Sequence, residues 1–251
     1  MRNTYEEKQG KCVAVVLAAG QGKRMNSTKA KQYMELHGKP VLYYSLKVLE
    51  ESFIDEILLV TGRGEEAYCR EEFIEKYGFR KIKKIVQGGA QRYHSVYNGL
   101  KALEKDEAVR YVFIHDGVRP FLSREILERT WEAVRTEDAC AVGVPVTDTI
   151  KVADERGFVA DTPDRERLWS MQTPQAFEYR LIMDAYETLI CEEDNLLAKG
   201  IHITDDSMVA ELILHLPVKI VEGSYDNMKI TTPEDLAKAE ILFEKREKAV
   251  K

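Results

Sequence analysis

The sequence holds no apolar run approaching the roughly 18 residues needed to cross a bilayer. Its opening stretch, Met1 to Lys11, is charged where a secretory leader would be apolar. Cysteine is sparse. The four present, Cys12, Cys69, Cys140 and Cys191, form no Cys-x-x-Cys and have no histidine at metal-ligand spacing, which argues against zinc and against a disulfide framework. These absences together lead to the expectation of a cytoplasmic protein with reduced thiols. Nor is there an excess of basic charge: 37 Lys and Arg against 43 Asp and Glu give a formal net charge of -6. A general nucleic-acid or anionic-membrane binder needs a basic face, so any anionic ligand must be met by a local cluster of cations. Only 15 Gly and 7 Pro occur, too few for a collagen-like or low-complexity chain, while 44% hydrophobic residues suffice for a core.

What is present is an alternation of short β-branched apolar runs with longer amphipathic stretches, the signature of βαβ units around a mostly parallel sheet. The runs Val13–Leu17, Glu56–Thr61, Ile82–Val86, Tyr111–His115, Ala139–Val144 and Val218–Glu222 predict strands, most of them apolar on both faces. Helices are predicted from Pro40, with Leu42, Leu46, Leu49 and Phe53 on one side, over Ser95–Leu103, and from Ser123 as N-cap through Arg135. A last helix opens at Thr232, Pro233 and Asp235. The stretch from Thr147 to Phe177 breaks this rhythm with a strand, a turn at Glu155-Arg156-Gly157 and a second extended piece. It reads as an excursion from a single domain spanning 1–251, suited to packing on a partner chain.

Three stretches carry chemistry. Leu17-Ala18-Ala19-Gly20-Gln21-Gly22-Lys23-Arg24-Met25 follows the first strand and lets backbone amides approach a ligand closely. It is neither a dinucleotide fingerprint, because Met25 stands where a third Gly belongs, nor a P-loop. From its end onward Lys23, Arg24, Lys29 and Lys31 put four cations within nine residues, which points to a polyphosphate at the carboxyl end of a strand. In His115-Asp116-Gly117-Val118-Arg119-Pro120 a carboxylate ends an apolar strand, where Mg²⁺ arriving with a triphosphate would want an oxygen ligand. Glu222-Gly223-Ser224-Tyr225-Asp226-Asn227-Met228-Lys229 offers a second carboxylate and a lysine, although locally it reads as a turn. Gly88-Gly89-Ala90-Gln91-Arg92 turns into a helix, and Thr149, Lys151 and Arg165 form a polar set on the excursion. His115 is expected to be packed rather than catalytic, and Asp205 and Asp206 to cap a helix beginning near Ser207.

Taken in order, LAAGxGxRM, KQY, GGxxRxxSV, HDGVRP, PVTDTIK, DR with LW, QTPQAF, TDD and EGSYDNMKITTPEDL resemble the 2-C-methyl-D-erythritol 4-phosphate cytidylyltransferase family over about residues 12 to 243. That resemblance implies a Rossmann-like nucleotidyltransferase fold with a protruding β-arm, residues 147–177, that builds a homodimer. It implies CTP as co-substrate, Mg²⁺ as cofactor and a sugar-alcohol phosphate as acceptor. Carried over by motif, Arg24 and Lys31 match the catalytic cations and Asp116 and Asp226 the metal-binding carboxylates. Ala18, Ala19, Gly20, Gly22, Gly88, Arg92 and Ser95 match the nucleotide site. Arg119, Thr149, Arg165 and Lys229 match the acceptor site, the arm residues reaching the partner's cleft.

Two departures stand out: Ala30 where the family often has Pro, and Ala90-Gln91 where Asp-Glu is frequent, which removes a carboxylate near the nucleoside. The sister ribitol 5-phosphate cytidylyltransferases share several of these motifs, while Lys151 and Leu168-Trp169 lean toward methylerythritol phosphate. A nicotinamide-dependent oxidoreductase is disfavoured by Met25, and an inactive binding module by the retained carboxylates and loop cations.

Overall fold

The computed structural model describes residues 10–20, 22, 25 and 29–250. Arg24 and Lys23 lie outside the described residues. The six predicted apolar runs become β1 (Lys11–Ala18), β4 (Glu56–Thr61), β5 (Ile82–Gln87), β6 (Val109–Asp116), β7 (Ala139–Pro145) and β11 (Lys219–Glu222) of one seven-stranded sheet; its seventh strand is β10 (Trp169–Glu178), and the short β2 (Glu35–Leu36) and β3 (Lys39–Pro40) pair with each other. Their spatial order is β11-β7-β10-β6-β1-β4-β5. Pairings of β1 with β4 and β6, β4 with β5, and β7 with β11 are parallel. Only β10 runs against its neighbours β6 and β7. The sheet is therefore mixed and mostly parallel, as expected, with helices on both faces, among them the short α2 (Glu66–Cys69) and α6 (Glu193–Ala198).

The alternation of side chains along each strand builds two cores at once. Cys12, Ala14, Val16 and Ala18 of β1 face α1 (Val41–Glu50) and α4 (Arg124–Glu137), meeting Leu42, Leu46, Ile126 and Leu127. Val13 and Val15 face the other way, toward Val96 and Leu100 of α3 (Arg92–Lys101), Ile182 of α5 (Tyr179–Cys191) and Val209 of α7 (Asp206–Leu214). Capping fixes where the helices begin. Ser123 Oγ accepts the amide of Ile126, and Thr232 and Asp235 exchange amide bonds at the start of α8 (Pro233–Val250).

The excursion is shorter than expected. Residues 169–178 are a strand of the main sheet, so the projecting part covers 147–168, with β8 (Val152–Ala153) and β9 (Val159–Asp161) as a small antiparallel hairpin exposed on both sides. Sequence reading misplaced 169–177 because Gln172, Thr173 and Gln175 are polar, whereas all three are buried and hydrogen-bonded within the sheet layer. Cys12, Cys69 and Cys140 are buried free thiols, and Cys191 is an exposed one. Among the described residues no helix is long and apolar enough to cross a membrane.

Candidate active site

At the carboxyl ends of β1 and β6 lies a cleft of about 510 Å³. One wall is the backbone-rich run Leu17, Ala18, Ala19, Gly20 and Gly22, the end of β1 and the loop after it. Gly22 takes φ +61°, a left-handed conformation that suits glycine. The facing wall is Gly89, Ala90 and Gln91 with the first turn of α3, Arg92 and Ser95. Lys31 and Gln32 close one end, and Asp116, Val118 and Lys229 form the floor. Motifs up to 212 residues apart thus meet in one place, and they include most of the candidates that the sequence singled out.

Gly88 sits just behind the glycine wall. A Cβ there would stand 2.5 Å from that of Ala19 and 2.8 Å from Ser95 Oγ. Neither neighbour can retreat without moving its backbone, since Ser95 Oγ also accepts the amide of Gly89 at 3.0 Å. Gly88→Ala is expected to push the two walls apart, weakening nucleotide affinity roughly tenfold or more with little change in melting temperature. Calorimetric titration with CTP checks this.

Electrostatics concentrate on one carboxylate. Asp116 accepts from Lys229 Nζ at 2.7 Å and from Arg92 Nε at 3.3 Å, with Arg119 Nε at 3.9 Å. Burial alone would raise its pKa, but Arg92 first, then Lys229 and Arg119, hold it far below the usual carboxylate range. Its backbone amide donates to Thr173 Oγ1 at 3.0 Å, and the Thr173 hydroxyl lies 3.0 Å from His115 Nδ1. His115 is fully buried, and burial pushes its pKa down to about 3. It is a neutral, packed histidine, as expected.

Arg92 has a second carboxylate that the sequence did not reveal. Its Nη1 and Nη2 donate to Asp206 Oδ1 and Oδ2 at 2.8 and 2.7 Å, and Tyr186 donates to Asp206 Oδ1 at 2.6 Å. Asp205 does cap α7, accepting the amide of Met208, but Asp206 turns inward. Gln175 secures this corner: its Oε1 accepts the amides of Asp206 and Ser207, and its Nε2 donates to Asp205. No local signal marks this pair, because spacing cannot tell a capping carboxylate from an inward one.

Of the remaining candidates, Arg119 adjoins the cleft floor through Asp116, whereas Asp226, Thr149 and Arg165 are not among the lining residues. Arg119, buried beside Asp116, donates through Nη1 to the carbonyl of Asn227 at 2.7 Å. Asp226 is half-buried and ion-paired with Arg246 of α8 at 2.9 Å. Thr149 and Arg165 are exposed on the projecting arm, where Arg165 Nη1 donates to the carbonyl of Thr147. Gln91 precedes α3 and donates its backbone amide to His94 Nδ1 at 3.2 Å.

The chain is similar to known proteins over nearly its whole length. Residues 12–245 match the family described as 2-C-methyl-D-erythritol 4-phosphate cytidylyltransferase. A relative of that name from Lachnoclostridium phytofermentans is 46% identical over 233 residues, 93% of this chain and 96% of its own. Another from Caldanaerobacter subterraneus subsp. tengcongensis is 48% identical over 233 residues, 92% and 98% of the two chains. The crystal structure of 4-diphosphocytidyl-2C-methyl-D-erythritol synthase from Anaerococcus prevotii superposes with a TM-score of 0.81 at 36% identity, covering 94% of this chain and 97% of that one. With near-complete coverage in sequence and in three dimensions, this chain belongs to the 2-C-methyl-D-erythritol 4-phosphate cytidylyltransferase family.

Proposed function

We propose that this protein transfers CMP from CTP to 2-C-methyl-D-erythritol 4-phosphate, releasing pyrophosphate. The observation that carries this reading is the convergence of Lys31, Arg92 and Lys229 on a glycine-walled cleft at the carboxyl ends of β1 and β6. In an acidic chain such a cluster of cations suits a polyphosphate and an anionic acceptor. Ala18, Ala19, Gly20, Gly22, Gly88, Arg92 and Ser95 hold the nucleotide, and Arg119 and Lys229 hold the acceptor phosphate. Thr149 and Arg165 join the acceptor site from a partner's arm. Exposed Phe158 and Val159 on an otherwise unsupported hairpin favour such a homodimer. The buried, unpaired thiols accord with a cytoplasmic setting.

The reaction needs no enzyme nucleophile and no base. The acceptor phosphate, with a second pKa near 6, is largely dianionic at pH 7. Its oxygen forms a bond to the α-phosphorus as the bond to pyrophosphate breaks, so no proton changes hands and a neutral His115 suffices. Lys31 and Arg24 offset the charge that builds on the phosphates, and the cleft holds the two anions in line. Asp116 and Asp226 are the Mg²⁺ carboxylates in this reading. Their hard oxygens fit the ion, but both are already balanced by cations, and no three metal-ligating side chains gather among the described residues. Such a donor set would suit an ion that enters with triphosphate oxygens, and that ion would offset part of the triphosphate's charge.

The test is pyrophosphate release with CTP and Mg²⁺, comparing 2-C-methyl-D-erythritol 4-phosphate with D-ribitol 5-phosphate at matched concentrations. Turnover is expected with the former. Turnover with ribitol phosphate alone would move the acceptor assignment, and silence with both would reject the reading.

A further inference from the structure

Lys31 stands on neighbours for which no role has been assigned. It opens a single 3-10 turn, Lys31–Tyr33, and the two residues after it are buried and tied to different elements. Gln32 Nε2 donates to the carbonyl of Ala18 at 2.6 Å, pinning the turn to the end of β1. Tyr33 reaches the opposite way. Its hydroxyl donates to Glu65 Oε2 at 2.7 Å, and the same oxygen accepts the amide of Gly62 at 3.0 Å. Cys69 Sγ lies 3.1 Å from that hydroxyl; with the one phenolic proton committed to Glu65, the thiol is the donor there. Tyr68 packs edge-on against the Tyr33 ring with centroids 4.9 Å apart. On the cleft side, the Lys31 stem runs past Gly22, where a Cβ would stand 3.4 Å from its Cγ.

We propose that Tyr33 and Glu65 are positioning residues for the transfer step. They form a brace from the segment after β4 that holds the turn, and with it the Lys31 ammonium, at the cleft. The inference rests on the reading of Lys31 as a catalytic cation. A lysine has a flexible four-carbon stem, and one 3-10 turn is too short to order it unaided. Two buried side chains pulling the turn toward β1 and toward Glu65 supply that order before substrate arrives. A displacement of about 1 Å at such a group can cost up to roughly a hundredfold in rate.

The test is a set of double-mutant cycles on kcat for pyrophosphate release, with KM for CTP and melting temperature measured alongside. Tyr33→Phe removes one hydroxyl, and Glu65→Gln keeps the shape but weakens the acceptor. Each is expected to lower kcat about tenfold, with KM for CTP within about twofold, and Lys31→Ala is expected to lower kcat further. Because the brace acts through Lys31, adding either change to Lys31→Ala should cost almost nothing more. Losses that multiply in the double variants, or single variants at wild-type kcat, overturn the brace while leaving Lys31 its role. Full turnover by Lys31→Ala overturns the reading of Lys31 and the inference together. Should Tyr33→Phe fail to fold, Glu65→Gln, at a half-buried position, carries the same cycle.

Discussion

Asp116→Asn is expected to lower kcat/KM at least a hundredfold, the scale on which one preorganised charge in a phosphoryl-transfer site acts. The substitution keeps the shape of the side chain and removes the charge on which Lys229, Arg92 and Arg119 converge. Three cations then face one another across the floor of the cleft, which costs about 2 kcal/mol of stability as well. The pH dependence separates this from a packing defect. In the folded chain the Asp116 pKa is depressed, so its stabilising contribution is complete above the ordinary carboxylate value near 4 and is lost as pH falls, the unfolded chain taking up its proton first. The melting-temperature gap between wild type and Asp116→Asn should therefore be widest near neutrality and shrink below about pH 4. A gap that stays constant with pH would show that Asp116 is not held by its cations.

Asp206→Ala should be the more damaging change for the fold. Asp206 is fully buried, takes both guanidinium Nη groups of Arg92 and accepts the hydroxyl of Tyr186. Deleting one side of a buried pair costs about 3–5 kcal/mol because the other charge remains. For a domain of this size that is a fall of roughly 10 °C in melting temperature. Arg92 would then swing toward Asp116, so CTP affinity should weaken about tenfold in parallel. Scanning calorimetry with a nucleotide titration on the same sample decides the matter: an Asp206→Ala variant that melts with wild type would mean that the pair contributes nothing.

The sequence was most informative where one force dominates. The central stretches of β1, β4 and β6 are apolar because both faces are covered, and Ser123 and Thr232 mark helix starts because free amides there need an acceptor. Part of the glycine-rich loop, Lys31, Asp116 and Lys229, which line one cleft, stand out in the sequence because charge and small residues cluster at strand ends. What stayed hidden depends on partners far along the chain. Asp206 and Arg92 are 114 residues apart, and nothing local separates Asp206 from the capping Asp205 beside it. β10 was hidden for a related reason: its polar residues find their partners in Asp116, Asp205 and Ser224, so a central strand carries the composition of a loop. Glu65 was overlooked because a lone glutamate near a glycine turn has no signature until Tyr33 is seen to point at it.

The lone antiparallel strand also sets a timetable for synthesis. β6 can pair with β1 as soon as both have left the ribosome, yet its other edge waits for β10, and β7 waits for β10 and β11 alike. A nascent chain paused between Pro145 and Trp169 therefore carries two apolar strands with unsatisfied backbone edges, a state in which strand-to-strand association between chains competes with folding. The arm, residues 147–168, is the segment that must be made before β10 can close those two edges.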